Sequence, residues 1–434
     1  MSILLTEEKS SLKFLFPTNS SWAVCLSISV FERAMDGVPF RNDDGKRREI
    51  LREISKVKQM MISKSKTHLA LNLCLLVLSV FIVTPILGEL VFRAGIALKI
   101  EKFRNPSLYA DYFSDDDYWK LQQDWGGKWR FAAPNRVHPL LGWSQQDISP
   151  GNPLGLMRAT QERMNSQLPK ILFYGDSFVK GSASKEFELP EYMSAKLDGV
   201  DVVDLGVGGY GTDQIYLMFK ETYQNIPNSQ LVLLGILVPD DIDRAVLSIR
   251  TSQKPYFVPD EEGNLQLKGV PIDNAQDRYF REYSLSFKSY LFAFLKRTFV
   301  KNNEKAELKK RINSRMLELV KSETDSAGMD LIVVMFYPPG WLPAVSWQES
   351  WLKDKLNELG VPFIVTKEII LSYAKENLLD TADLYDEGGH HNDLGNQVVA
   401  EGILRYLNEN NRTPLRQGSG QAVPAYRQAG AGRR

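Results

Sequence analysis

The sequence predicts an α/β fold in which a parallel five-stranded sheet is covered by helices on both faces. Short apolar runs typical of buried strands alternate with amphipathic stretches typical of helices. A strand that is covered on both faces is apolar along its whole length, unlike the alternating pattern of a half-exposed sheet. The chain has 434 residues, 43% of them hydrophobic, enough to bury a full core. The five predicted strands are 170–174, 201–205, 231–238, 330–337 and 362–366.

An apolar segment precedes the predicted domain. Residues 69–88 contain no charged side chain, and a helix of this length would span roughly 30 Å, about one hydrocarbon core. We interpret 68–88 as a transmembrane helix. The alternatives are a buried core helix and a cleavable signal peptide, although the apolar stretch is longer than a usual signal and has no pair of small residues at its end.

The charges beside this segment indicate its orientation. Eight Lys or Arg and two acidic residues lie between Lys46 and Lys66, which favours a cytoplasmic N-terminal side. We therefore expect a single-pass membrane protein whose α/β domain is extracytoplasmic. A domain that faces the cytoplasm is the alternative, because Lys and Arg also follow the segment. Residues 1–67 form an N-terminal extension, and we interpret the part before Met60 as dispensable or misassigned.

The rest of the chain divides by composition. Residues 89–165 form a membrane-proximal segment whose many aromatic side chains we expect to pack on the domain. The domain itself, 166–410, contains a predicted insertion at 244–327, which is longer than one crossover helix and which we interpret as a lid or substrate-facing element. Residues 411–434 are rich in Gly, Gln, Ala and Arg and are predicted to be disordered.

Two short motifs contain residue types that are typical of catalytic sites. Gly175-Asp176-Ser177 closes the first apolar strand, so Ser177 is predicted to lie at the carboxyl edge of the sheet, where open α/β folds place their ligands. A second motif, His390-His391, stands near the other end of the domain. A serine hydroxyl is a weak nucleophile and needs a base, which in turn needs a carboxylate to orient it. The motifs together therefore predict a serine hydrolase.

The supply of histidines narrows the choice of base. The chain has four: His68 borders the apolar span, and His138 precedes the predicted strands. Only His390 and His391 are well placed to act as the base for Ser177. The spacing of His390 from Asn392 and Gly395 favours His390, with His391 as a pocket-wall or surface residue.

These motifs resemble those of the SGNH, or GDSL-like, hydrolase family over residues 168–408. Segment 201–213, which contains a glycine-rich turn, is similar to the second family block, and Gly209 matches its oxyanion glycine. The resemblance implies a flavodoxin-like strand order, Ser177 as the nucleophile and His390 as the base. It implies Asp386 as the histidine's partner, with Glu387 as the substitute because the family's aspartate stands three residues before the histidine. The backbone N–H groups of Ser177 and Gly209 are expected to bind the oxyanion.

The third family block departs from the pattern. Where the family has an asparagine whose amide donates to the oxyanion, this chain has Pro239-Asp240-Asp241. An ionised Asp240 would repel a developing oxyanion. Either the backbone N–H groups of Ser177 and Gly209 suffice, or Asp240 is protonated or turned away. Asp240 is therefore a doubtful member of the oxyanion site.

Each motif also has a structural explanation. Ser177 could cap a helix after a strand, the glycines could form a flexible turn, and Asp386 could belong to an exposed acidic loop. The pair Asp240-Asp241 has no further carboxylates nearby in the sequence to complete a metal site, so no metal and no other cofactor is expected. Cys25 and Cys74 both lie outside the domain, so the domain has no cysteine nucleophile and no disulfide.

Composition and motifs together predict a membrane-anchored ester hydrolase. The formal net charge of zero gives no indication of nucleic-acid binding. The expected substrate is an ester or an acylated glycan. Two alternatives stay open: an extracytoplasmic O-acyltransferase that modifies cell-envelope glycans, which the resemblance allows, and a catalytically weak binding module.

Overall fold

The computed structural model describes residues 44–126, 136–181, 183–300 and 304–414. The chain divides into two compact units, Met1–Ala94 and Gly95–Arg434. The predicted N-terminal extension up to residue 43, which includes Cys25, lies outside the described residues. So does the predicted disordered tail beyond residue 414.

The described part of the first unit is a continuous helix. Helix α1 (Asp44–Leu78) runs through a π-helical turn (Ser79–Val83) into α2 (Thr84–Ala97), which ends in the second unit. Thr67–Ala97 is long and apolar enough to cross a membrane: its most apolar stretch of 18 residues has a mean hydropathy of 2.5, and no residue of that stretch is buried inside the structure. A core helix would be buried, whereas a signal sequence would meet the same criteria of length and composition.

The second unit is built on the predicted sheet. Five parallel strands, β3 (Lys170–Gly175), β4 (Asp201–Gly206), β5 (Ser229–Leu237), β8 (Asp330–Phe336) and β9 (Phe363–Val365), lie in the order β4-β3-β5-β8-β9. This order is flavodoxin-like, and the predicted fold class is confirmed. Two short hairpins are separate from the sheet: β1 (Val137–His138) with β2 (Gly142–Trp143) precedes it in sequence, and β6 (Tyr256–Pro259) with β7 (Leu265–Lys268) lies between β5 and β8.

Helices cover both faces. The connection from β3 to β4 and the connection from β4 to β5 run in opposite directions along the sheet, and right-handed crossovers of opposite direction lie on opposite sides. On one side α7 (Thr212–Thr222), α11 (Glu304–Ser326) and α12 (Trp347–Glu358) pack together. On the other side lie α6 (Leu189–Lys196), α13 (Thr366–Asn377) and α14 (Asp393–Glu409). The shorter helices are α3 (Asp116–Asp124), α4 (Arg158–Met164), α5 (Ser177–Lys180), α8 (Asp241–Arg244), α9 (Gln276–Glu282) and α10 (Tyr290–Phe299).

The interval that follows β5 contains both added elements and a crossover helix. Helix α11 buries Ile312, Met316 and Val320 in the main core, so it serves as the crossover from β5 to β8. The elements before it, the β6–β7 hairpin with α9 and α10, are additional to the sheet. A buried ion pair between Lys254 and Asp213 joins this region to α7, and the Lys254 ammonium also donates to the carbonyl of Leu247 at 3.0 Å.

The membrane-proximal aromatic segment packs against the same region. The Trp119 side chain on α3 is buried in a small cluster with Leu247, Ile249 and Phe280. The Asp116 carboxylate accepts from the backbone N–H and the hydroxyl of Ser248, at 2.9 and 2.6 Å, and from the N–H of Ile249 at 3.2 Å. Segment 101–126 is therefore part of the second unit.

Asp204 is a buried carboxyl group in the sheet, and its ionisation is expected to change the stability of the fold with pH. Its carboxylate lies on β4 and accepts the Gly206 N–H at 2.9 Å, and burial raises the pKa of this carboxyl to about 7. An unfolded aspartate has a pKa near 3.9, so the folded state binds the extra proton. Asp204 therefore has no effect on stability well below pH 4, and it lowers stability progressively as the pH rises to about 7.

We expect Asp204→Asn to raise the Tm by a few degrees at pH 8 and to leave it unchanged near pH 4. The amide oxygen can still accept the Gly206 N–H, so only the buried charge is removed. Thermal unfolding at both pH values measures the effect, with Asp198→Asn, an exposed position, as the control. An equal loss of stability at both pH values would contradict the account.

Candidate active site

The carboxyl edge of the sheet brings the two sequence motifs together. Ser177 begins α5, one residue after the end of β3, while His390 lies in the loop before α14. The Nε2 atom of His390 lies 2.8 Å from the Ser177 hydroxyl oxygen, although the two residues are 213 positions apart in the sequence. Both side chains are only partly buried. The pair therefore has the geometry of a nucleophile and its base, open to solvent.

The turn that carries Ser177 depends on its neighbours. The Asp176 carboxylate caps α5 by accepting the Phe178 N–H at 2.8 Å. A Cβ on Gly175 would collide with the Val179 side chain and would lie 3.2 Å from the Gly235 carbonyl oxygen. The close packing of this strand end against β5 and α5 therefore requires glycine at 175, and it fixes where the serine points.

Asp386 is bonded to the backbone of the histidine. The His390 N–H donates to the Asp386 carboxylate at 2.9 Å, and the Asp386 N–H donates to the His390 carbonyl at 2.8 Å. A Cβ on Gly388 would lie 3.2 Å from that carboxylate oxygen and 3.4 Å from His390 Nδ1. The carboxylate and the inner ring nitrogen therefore border the same small space, whereas Glu387 is exposed.

His391 has a different environment from His390. It is buried, with its ring centroid 5.1 Å from that of Phe178 and 5.0 Å from that of Tyr385. Burial, with a smaller contribution from His390, lowers the pKa of His391 to about 3. The structure thus places His391 in the core behind the site, where it stays neutral at ordinary pH, and not on the surface.

The glycine-rich turn after β4 lies beside Ser177. A Cβ on Gly208 would be 3.8 Å from the Ser177 Cβ, and Gly209 has a φ of +83°, which favours glycine. The indole N–H of Trp143 donates to the Gly208 carbonyl at 3.0 Å. The turn therefore brings Gly208 close to Ser177, with Gly209 next to it in the same turn, and Gly208 is an additional candidate for the oxyanion site.

Arg244 is a buried residue that connects several parts of the site. Its guanidinium donates to Asp241 at 2.7 Å, to Asp176 at 3.3 Å and to the Tyr210 carbonyl at 3.1 Å. Burial alone would lower the pKa of Arg244, but the charges of Asp240, Asp241 and Asp176 raise it. The acidic residues three and four positions before Arg244 on one helical turn were a usable sequence signal, but Asp176 is distant in sequence and was not foreseeable as a partner.

Asp240, which replaces the family's oxyanion asparagine, forms an ion pair with Arg244. Its carboxylate accepts from Arg244 Nη2 at 2.7 Å. Burial raises the pKa of the Asp240 carboxyl, and the charge of Arg244 opposes that rise. One of its oxygens is thus engaged by a cation, as expected if the side chain is turned away from a developing oxyanion.

A second arginine, Arg250, contacts the glycine-rich turn. Its Nη1 atom donates to the Gly209 carbonyl, and its guanidinium lies 5.7 Å from the centroid of the Trp119 ring. The turn is thus held by Trp143 from the segment before β3 and by Arg250 from the region after β5. Neither contact could be foreseen from sequence spacing.

Many solved structures are similar to this chain. No protein-family model matches the chain, and neither does any curated protein. A two-domain esterase active on acetylated mannans is 12% identical with a TM-score of 0.36, over 62% of this chain and 56% of that one. A lipolytic G-D-S-L family protein from Veillonella parvula is 11% identical with a TM-score of 0.33, over 54% and 96%. An acetylxylan esterase from Geobacillus stearothermophilus is 16% identical with a TM-score of 0.33, over 56% and 95%. The match thus spans little more than half the length of the two-domain esterase.

We expect Asp240→Asn to change kcat by less than about threefold, far below the 10²- to 10³-fold effect of one oxyanion donor. The amide oxygen can still accept from Arg244, so the side chain has no reason to turn. Steady-state ester cleavage measures the effect. The control is Asp243→Asn, a buried carboxylate on the helix that Asp240 precedes, which pairs with Lys309 at 2.8 Å. A change of about 100-fold in either direction would mean that Asp240 faces the reacting atoms.

Proposed function

We propose that the protein is a serine-dependent ester hydrolase. The observation that supports this most is the 2.8 Å separation between the Ser177 hydroxyl and His390 Nε2, at the carboxyl edge of a parallel sheet. A capping serine needs no histidine at its hydroxyl, so the helix-cap explanation leaves this contact unaccounted for. The active-site roles that follow are part of the same proposal.

In the proposed reaction, His390 Nε2 accepts the hydroxyl proton as the Ser177 oxygen bonds to the ester carbonyl carbon. The carbonyl oxygen becomes an oxyanion, which in this proposal is bound by the N–H groups of Ser177, Gly209 and Gly208. When the tetrahedral intermediate collapses, the alcohol leaves with the proton from His390 and the acyl group stays on Ser177. Water then repeats the sequence and releases the acid.

Asp386 and Arg244 act in this scheme by holding other groups in place. Asp386 fixes the histidine loop through two backbone hydrogen bonds. Arg244 bonds to Asp176, which caps the nucleophile's helix, and to the Tyr210 carbonyl at the end of the glycine-rich turn. The relative positions of the nucleophile and the oxyanion site therefore depend on one buried cation.

We further propose that Thr67–Ala97 anchors the enzyme in a membrane with the catalytic domain on the extracytoplasmic side. The length and hydropathy of this helix support the anchor, and the basic residues before it support the orientation. A reporter fused to the C-terminus, active only on one side of the membrane, tests the orientation. Activity of a cytoplasmic reporter would reverse it.

The test of the activity uses the full-length protein in detergent. We expect it to cleave short-chain acyl esters such as p-nitrophenyl acetate, and an acetylated oligosaccharide tests the expectation of an acylated-glycan substrate. Released acid is compared with acyl groups that appear on an added acceptor sugar, which separates hydrolysis from transfer. Cleavage that persists in Ser177→Ala, or none with any ester, would contradict the proposal.

A further inference from the structure

Helix α10 (Tyr290–Phe299) presents an apolar face to solvent. Phe292, Leu295 and Phe299 are spaced three and four residues apart, so they share one side of the helix. Phe292 is 65% exposed and Phe299 is 77% exposed. Ala293 is buried and marks the side that packs on the domain. Two exposed phenylalanines on one short helix are costly to leave in water, so this face is expected to be covered by a partner.

The charges on α10 indicate which kind of partner covers its apolar face. The helix contains no acidic residue, and Lys296 and Arg297 in its last turn are both exposed. Arg297 is paired only loosely, at 3.5 Å from Asp111. Aromatic and leucine side chains on one face together with lysine and arginine are typical of helices that lie in the interface of a bilayer.

The position of α10 in the second unit supports the same partner. Gly95, near the end of α2, packs directly against the Phe103 ring. The Phe103 carbonyl accepts from the Tyr109 hydroxyl at 2.7 Å, and the Tyr109 ring lies 5.2 Å from that of Tyr290, the first residue of α10. Three successive contacts thus connect the end of the candidate membrane span to α10. If the span crosses a bilayer, its end lies near the bilayer surface, and α10 lies close to it.

We propose that α10 is an interfacial helix that inserts Phe292, Leu295 and Phe299 into the surface of a phospholipid bilayer with anionic headgroups. This contact would hold the catalytic domain in one orientation on the membrane that anchors it. The inference rests on the proposed anchor but not on the ester hydrolase activity. A second copy of the chain covering the same face is the competing occupant.

The experiment uses the full chain, with Cys25 and Cys74 replaced by serine, reconstituted in liposomes of phosphatidylcholine and phosphatidylglycerol. A nitroxide spin label is attached to Phe299→Cys or, separately, to Phe292→Cys. The control is Leu378→Cys, which is 94% exposed at the end of α13. Unchanged far-UV circular dichroism and thermal unfolding show that each variant is folded. Relaxation of the label by oxygen, which partitions into lipid, is compared with relaxation by a water-soluble nickel chelate.

The proposal predicts that labels at 292 and 299 are reached better by oxygen than by nickel, while the label at 378 shows the reverse. Replacing phosphatidylglycerol with phosphatidylcholine is expected to raise nickel access at 299. A label at 299 with the same access as one at 378 would overturn the proposal. Shielding from both reagents would also overturn it and would indicate a protein partner. Failure of the chain to float with the liposomes would refute the anchor and with it this inference, while leaving the hydrolase proposal intact.

Discussion

Ser177→Ala is expected to abolish ester cleavage, with a loss in kcat of roughly 10³-fold or more, while the protein keeps its fold and its Tm. The substitution removes one partly exposed hydroxyl oxygen whose short contact is to His390. The Asp176 cap on the Phe178 N–H does not involve the serine side chain, so the turn is preserved. Steady-state hydrolysis and thermal unfolding of the purified variant measure the two effects.

Ser184→Ala is the matched control for this experiment. Ser184 is an exposed serine in the loop after α5, and its hydroxyl donates to Asp393 at 2.8 Å instead of contacting the histidine ring. Its loss should leave kcat within a few-fold of wild type. Near wild-type cleavage by Ser177→Ala, or equal losses in the two variants, would exclude Ser177 as the nucleophile.

Substitutions of the two adjacent histidines are expected to have different effects, one on activity and the other on stability. His390→Ala should lose roughly 10³-fold or more in kcat with little change in Tm, because its ring is partly exposed and is the group at the serine. His391→Ala should instead lower the Tm, since it removes a buried ring packed on Phe178 and Tyr385. A neutral imidazole with a pKa near 3 is also too weak a base to serve at ordinary pH.

Kinetics and thermal unfolding of both variants at one pH decide the assignment. A larger loss of kcat in His391→Ala, at a temperature where that variant is folded, would move the base one residue along the chain. Equal losses in both would mean that the loop acts as a unit and that neither ring can be assigned alone.

The sheet was predictable from the sequence for a definite physical reason. Strands buried on both faces must be apolar along their length, so each appears as an uninterrupted run bounded by polar residues. The predicted strand 231–238 is observed as Ser229–Leu237 and the predicted strand 330–337 as Asp330–Phe336. The ends differ by one or two residues because the last backbone bonds of a strand depend on its neighbours and not on its own composition.

The parts of the site that were not predictable depend on contacts between distant segments. Arg244 and Arg250 are ordinary arginines in the sequence, and only the fold places one on Asp176 and the other on the Gly209 carbonyl. Trp143 was predicted to pack on the domain, but its hydrogen bond to Gly208 ties it to the candidate site itself. Side-chain partners of this kind follow from which loops meet at the sheet edge, which spacing along the chain does not encode.

The most direct test of the central claim is reaction of the full-length protein with a fluorophosphonate probe, followed by digestion and mass spectrometry of the labelled peptide. Such a probe bonds covalently to a serine only when a base activates it and an oxyanion site accepts the phosphoryl oxygen. The account predicts a single adduct on Ser177, lost in His390→Ala and retained in His391→Ala wherever that variant is folded. No adduct on Ser177, or an adduct on another serine that accompanies ester cleavage, would contradict it.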